Sequence, residues 1–144
     1  MDKSILHFIQ NQKIVTICCS DGQANPYCFI SYFAFNPEDK LLYFKSSAST
    51  YHVTLISQKP EISGTILSNK LNILLIKGLQ FNGVVLPSDH QLSSNASKEY
   101  HKKYPLAFAI QGEVWTIKLS KIKMTDNSLN IGKKFLWERN IISI

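Results

Sequence analysis

The sequence predicts a mainly β protein: a small antiparallel β-barrel, closed or split, of six or seven strands with two or three short helices. Three observations lead there. Short apolar runs rich in β-branched and aromatic residues recur along the chain. Most are joined by tight turns, so each run pairs with its neighbour in sequence. At 144 residues, 44% hydrophobic and 18% charged, the chain is long and apolar enough to bury one core.

The elements follow in order. "SILHFIQNQ" places Ile5, Leu6, Phe8 and Ile9 at amphipathic-helix spacing, behind a cap at Asp2 or Ser4. "KIVTICC" is a β-branched strand, and "DGQANP" is a turn. "YCFISYFAF" is apolar on both faces: Tyr27, Phe29, Phe33 and Phe35 share one, and Cys28, Ile30, Tyr32 and Ala34 the other. Such a strand needs cover on both sides. One cover is the core; the other is a helix, a partner subunit or a flat ligand. "NPEDK" turns the chain so that "LLYFK" pairs antiparallel with it.

Residues 49–58 are expected to be helical up to Pro60, with Val53, Leu55 and Ile56 apolar. "EISGTIL" and "LNILLIKGLQFNGVVL" read as a second antiparallel pair. Residues 91–103 read as an exposed helix ending before Pro105. "EVWTIKLSKIKM" is the last long strand, and "FLWER" adds a short one. No repeat, linker or low-complexity tract interrupts the chain.

Composition narrows the function classes. No apolar run approaches the roughly 20 residues that span a bilayer. "MDKSILHFIQNQK" lacks the long apolar stretch and small-residue cleavage site of a signal peptide, so the expectation is a cytoplasmic protein with no membrane partner. Cys18, Cys19 and Cys28 have no zinc spacing and are expected to be ordinary buried free thiols. The formal charge of +6 comes from scattered lysines, which read as solvated surface with some pull on anions.

Phosphate-binding glycine loops and the G-x-S-x-G elbow are absent. His7, His52, His90 and His101 have no metal-ligand spacing, and His101 with Lys102 and Lys103 reads as a polar helix face. Carboxylates are few, which argues against a two-carboxylate hydrolase. Any chemistry would come from a cofactor.

One stretch stands out. In "YFKSSASTYHVTLISQKPEISGTI", Ser46, Ser47, Ser49, Thr50 and Tyr51 crowd the point where a strand hands over to a helix. A helix N-terminus offers unpaired N–H groups and a positive dipole end. Hydroxyls beside it suit a phosphate monoester, with His52 or Lys45 adding charge. The plainer alternative has Ser49 capping the helix and Ser46 and Ser47 forming a turn.

The order of these segments, from Ile14 to Arg139, resembles the pyridoxamine 5′-phosphate oxidase-like superfamily of FMN-binding split barrels. There, two strands lead into a "T-x-x-x-S-R-K" type segment, a short helix, "NP" and another strand; here "KSSASTYHVTLISQKPEISGTI" holds that place. The resemblance implies a Greek-key-like antiparallel split barrel of six or seven strands, with residues 1–144 forming a single FMN-binding domain. It implies a homodimer with the flavin in a cleft between subunits. It places Lys45, Ser46, Ser49, Thr50 and Tyr51 around the FMN phosphate, and Ile30, Ser31 and Tyr32 along the flavin ring. Thr50 and Tyr51 stand where the superfamily carries a basic pair.

"KFLWER" is similar to the "RFLYQR" ending of the oxidases, and puts Lys134 near flavin and substrate. Gly132 falls where those oxidases carry a substrate-binding histidine, so pyridoxine or pyridoxamine phosphate is not the implied substrate. "IKGLQFNG", "KKYP" and "IKMTDNSLNIGKKFLW" are similar to an uncharacterised bacterial branch with a "TDN-x-L-G-F-G-K-K" signature. The resemblance supplies neither catalytic residues nor a reaction.

Three functions compete. The first is an FMN flavoprotein, with an FMN-dependent oxidoreductase of unknown small-molecule substrate as the enzyme class open to it. The second is a cofactor-free split-barrel dimer. The third is a nucleic-acid-binding barrel, disfavoured because the aromatic run is nearly uncharged and the lysines cluster later.

Overall fold

Asp2 starts the first element. Its carboxylate accepts from the Ser4 N–H at 2.7 Å and caps α1 (Lys3–Gln10). Ile5, Phe8 and Ile9 of α1 are buried in the main core, so the helix plugs one end of the barrel. The computed structural model describes residues 1–128 and 130–140.

The strands are β1 (Ile14–Ser20), β2 (Pro26–Asn36), β3 (Leu41–Ser46), β4 (Glu61–Leu67), β5 (Lys77–Val85), β6 (Glu113–Asp126) and β7 (Lys134–Glu138). They lie in the order β3-β2-β1-β4-β5-β6-β7, all antiparallel. Pairing of β3 with β6 closes the first six into a barrel. β1 to β3 form a meander, and β4 returns beside β1, which is the Greek-key step. β6 is long enough for two jobs: Glu113–Lys118 pairs with β3, and Lys121–Thr125 carries β7. The expected fold class is therefore the one observed.

The core is filled by alternate residues of each strand, among them Val15, Ile17, Phe33, Leu42, Phe44, Ile66, Leu79, Phe81, Ile117 and Ile122. Gly64 is required where β4 crosses β1: a Cβ there would overlap the Phe81 ring and the Thr16 carbonyl oxygen. Outside the barrel, α3 (Ala96–Lys103) and a 3-10 turn (Pro105–Ala109) cover Ala34, Leu41 and Tyr43. α2 (Tyr51–Gln58) contributes Leu55 and Ile56 to the main core.

Several expectations need correction. Leu71–Ile76 is not part of a strand, because β4 has ended at Leu67; the Ser68 N–H to Lys77 carbonyl bond closes the pair, and the apolar residues between stay exposed. The expected helix over 91–103 is a 3-10 turn at Gln91–Ser93 followed by α3. Its exposed face is not where His101 lies, since that ring is only 6% exposed. Of the cysteines expected in the core, only Cys19 is buried; Cys18 is half-buried and Cys28 exposed.

The turn from β6 to β7 explains the "TDN" run in physical terms. Asp126 accepts from both the N–H and the hydroxyl of Ser128 and pairs with Lys77 at 3.4 Å. Asn127 accepts from the Gly132 N–H at 2.8 Å, and Gly132 has φ +81°. Leu129 of that signature lies outside the described residues.

Candidate functional site

The split lies between β2 and β3. The two strands pair only from Phe33 to Asn36 and from Leu41 to Phe44. Below that point β2 pairs with β1 alone. The Phe33 N–H bonds the Lys13 carbonyl, and the Asp21 N–H bonds the Asn25 carbonyl. Antiparallel alternation then assigns the backbone groups of residues 27, 29 and 31 to β1. Those of Cys28, Ile30 and Tyr32 face the gap. The Tyr32 carbonyl accepts from the Ser31 hydroxyl at 3.0 Å.

The hydroxyl turn faces this open edge. Extending the β2–β3 register by two residues would set Ser46 opposite Ser31. Ser46 Oγ lies 2.6 Å from His52 Nε2 and 3.5 Å from Thr50 Oγ1. Ser47 Oγ and Ser49 Oγ are 2.9 Å apart, and Ser47 Oγ accepts from the Ser49 N–H. Thr50, not Ser49, holds the N-cap position of α2, and its side chain makes no cap bond. Its hydroxyl donates instead to the Ser47 carbonyl at 2.8 Å. No acid sits in the first turn of α2. The dipole end of α2 therefore points past the hydroxyls without a side-chain acceptor of its own.

His52 stacks on Phe29 with ring centroids 3.8 Å apart, and burial pushes its pKa down. A neutral imidazole brings a hydrogen-bonding group to the turn but little charge. Tyr51 is exposed, edge-on to Tyr27 at 5.0 Å.

Lys45 is turned the other way. Strand alternation sends its side chain to the outer face, where Nζ donates to the Ala107 carbonyl at 2.7 Å and lies 3.0 Å from His101 Nε2. The Ser97 carbonyl, 2.8 Å from His101 Nδ1, can only accept, so Nδ1 carries the hydrogen and Nε2 accepts from the ammonium. Nothing in the sequence signals this group, whose members lie 56 and 62 residues apart. Lys103, expected on a polar helix face, turns inward instead and donates to the Gln12 carbonyl, with Tyr104 beside it; these contacts are likewise between residues far apart in sequence. Both bond the Phe33 carbonyl, and burial, then Tyr100, pushes the Tyr104 phenol up to about 12.

Lys134 is remote within one chain. Ser46 pairs with Glu113 at one end of β6, and Lys134 pairs with Thr125 near the other. That separation is up to roughly 40 Å along an extended strand. Lys134 Nζ donates to Thr125 Oγ1 at 2.9 Å. One chain thus brings Ile30, Ser31, Tyr32, Ser46, Ser49, Thr50 and Tyr51 to one gap, and leaves Lys45 and Lys134 outside it.

The outer face of the sheet beside the gap is apolar. Ile30 is 72% exposed, Tyr32 54% and Leu67 58%. Ile14 sits opposite Tyr32 and is also exposed. Among the described residues no cluster of His, Cys, Asp and Glu could hold a metal, and no helix is long and apolar enough to cross a membrane.

No protein-family model matches the chain. It is 31% identical over 136 residues to UPF0306 protein plu4501 of Photorhabdus laumondii, across 94% of each chain. UPF0306 protein YE0465 of Yersinia enterocolitica is 30% identical over 135 residues, covering 94% of this chain and 91% of that one.

Solved structures share the fold at lower identity. A heme binding protein from Mycobacterium smegmatis matches with TM-score 0.76 and 12% identity, over 91% of this chain and 55% of its own. HutZ, a heme storage protein from Vibrio cholerae, gives 0.63 and 15%, over 95% and 93%. An FAD-binding protein from Mesorhizobium loti gives 0.65 and 14%, over 85% and 92%. The chain shares the split β-barrel fold of these proteins.

Proposed function

This chain belongs to the UPF0306 family, and we propose that it is an FMN-binding flavoprotein working as a homodimer, an oxidoreductase by reaction class. One observation carries the reading: an unpaired strand edge at Ile30 and Tyr32 faces an uncapped helix N-terminus ringed by Ser46, Ser49 and Thr50. The two ends suit the two ends of FMN. The phosphate would take hydrogen bonds from the hydroxyls and the first-turn N–H groups of α2. The flavin's uracil-like edge would pair with backbone groups of Ile30 and Tyr32, and Tyr51 would flank the phosphate. Bound flavin would supply one- or two-electron transfer. The chain's own part is to bind it, orient it and exclude water.

The second copy enters for two reasons. Ile14, Ile30, Tyr32 and Leu67 form an exposed apolar strip beside the gap. Lys134 could approach a flavin held at Ser46 only from a partner subunit. We take the whole chain as one such domain, and Thr125, Asp126, Asn127, Lys133 and Lys134 support reading it with the branch that carries the "TDN-x-L-G-F-G-K-K" signature. A cytoplasmic setting belongs to the same reading.

A cofactor-free dimer is the second reading, favoured by one fact. Lys45 is engaged at Ala107 and His52 is held toward its neutral form, so neither brings a free charge to the phosphate end. Titration of the purified protein with FMN, FAD and hemin separates the readings, followed by flavin fluorescence quenching and the hemin absorption band, with sedimentation on the same samples. The expected result is a dimer that quenches FMN. A dimer that binds none of the three establishes the second reading, and hemin binding alone overturns the choice of flavin.

A further inference from the structure

We propose that Cys18 and Cys28 form a reversible dithiol–disulfide site on the outer face of the β1–β2 pair, oxidised by small hydroperoxides. The register places Cys18 directly opposite Cys28. The hydrogen-bonded pairs of this ladder run through residues 13 with 33 and 21 with 25. Cys18 and Cys28 therefore form a non-hydrogen-bonded pair, the type whose Cα atoms approach to about 4.5 Å with side chains turned toward one another. A disulfide needs Cα atoms about 4.4–6.8 Å apart, so the bridge can close without moving the strands.

Access and surroundings agree. In the single chain Cys28 is exposed and Cys18 half-buried, and the site requires that a second copy seated on Ile14, Ile30, Tyr32 and Leu67 leave this end of the β1–β2 pair open. Both line a groove of about 300 Å³ whose other walls mix polar side chains, Thr16, Ser63, Thr65 and Asn82 among them, with Gly64 and the Phe81 ring. Cys18, then burial, pushes the Cys28 thiol up, so the attacking thiolate is a minor form and oxidation should quicken as pH rises. Cys19 is excluded from the site. It points into the barrel and shares its hydrogen with the Tyr27 carbonyl at 3.4 Å.

The step balances with a hydroperoxide as oxidant. One thiolate attacks the peroxide oxygen, breaking the O–O bond and releasing an alcohol, or water from hydrogen peroxide. The sulfenic acid so formed is attacked by the facing sulfur, the S–S bond forms, and water leaves. The two thiols lose two electrons and two hydrogens in all, and the peroxide is reduced. A small thiol restores the pair by exchange.

The test uses the native protein with a slight excess of hydrogen peroxide, read by intact mass, free-thiol count and peptide mapping without reductant. The expected result is a loss of two hydrogens, a fall from the three free thiols to one, and a peptide pair joined through Cys18 and Cys28. Dithiothreitol should reverse all three changes. Cys19→Ala should leave the reaction intact, and Cys18→Ser should abolish the loss of two hydrogens. Oxygen addition at Cys28 without the bridge, an interchain Cys28 to Cys28 bridge, or three unreacted thiols would each overturn the proposal.

Discussion

His52 lies flat against Phe29, the two rings 9° from parallel with centroids 3.8 Å apart. The contact joins α2 to the half of β2 that has no β3 partner, and so holds the hydroxyl turn beside the split. It also makes that junction sensitive to acid. Burial disfavours the imidazolium, so the folded pKa lies below the unfolded value of about 6.5. The unfolded chain then binds more protons in the window between the two pKa values. The stability tied to neutral His52 is complete above about pH 6.5 and is lost as pH falls below it. Urea unfolding of the parent and of His52→Phe at pH 7.5 and 5.0 checks this. The parent should lose more stability between the two conditions than the variant; equal losses would refute it.

Gly64 should be intolerant of even one methyl group. A Cβ would press on the Phe81 ring and the Thr16 carbonyl, and backbone cannot yield as a flexible side chain can. Gly64→Ala should destabilise by about 1–3 kcal/mol, the usual cost of overpacking a filled core. Gly22→Ala is the control, because nothing lies within 4 Å of its added atom. Thermal unfolding of both variants reads the difference, and similar midpoints would sink the packing argument.

Most of this fold could be read from the chain because its strands carry their own evidence. The β-branched and aromatic runs and the turns at 21–26 and 36–40 determine neighbours without long-range information. Leu71–Ile76 misled because composition favours a strand, while a strand needs a partner that β4 no longer supplies. Within the site, the hydroxyl turn was legible as five hydroxyl residues within the six positions 46–51. The turning away of Lys45 toward His101 was not, because it depends on where α3 docks. The facing of Cys18 and Cys28 follows from register, which the hairpin turn determines but a pattern of apolar residues does not.

Tyr32 should report on assembly. It stands on the outer face of β2, exposed, with Ile14 opposite and Tyr104 edge-on at 5.5 Å. If a second copy covers this face, Tyr32→Lys buries an ammonium without a partner. Sedimentation at micromolar concentration should then show the parent as a dimer and the variant shifted toward monomer. Phe108→Lys, on the 3-10 turn beyond α3, should leave the dimer intact; a parent that sediments as a monomer would remove the basis for the shared cleft.

The phosphate end gives the most quantitative test. If Ser49 and Thr50 donate to a phosphate, each charged hydrogen bond should contribute on the order of 1.5–3 kcal/mol. Ser49→Ala with Thr50→Ala should then weaken FMN binding by roughly two to four powers of ten if the two contributions add. Riboflavin lacks the phosphate, so it should bind the parent poorly and respond little to the change. The cost in stability should be small. Thr50 makes no cap bond, so the pair loses the donation to the Ser47 carbonyl, the long contact with Ser46 Oγ and the contact between Ser47 and Ser49, together about 1 kcal/mol. Flavin fluorescence titrations on both proteins, with urea unfolding alongside, separate binding from folding. Equal FMN affinity in parent and variant would leave these hydroxyls as partners of one another alone.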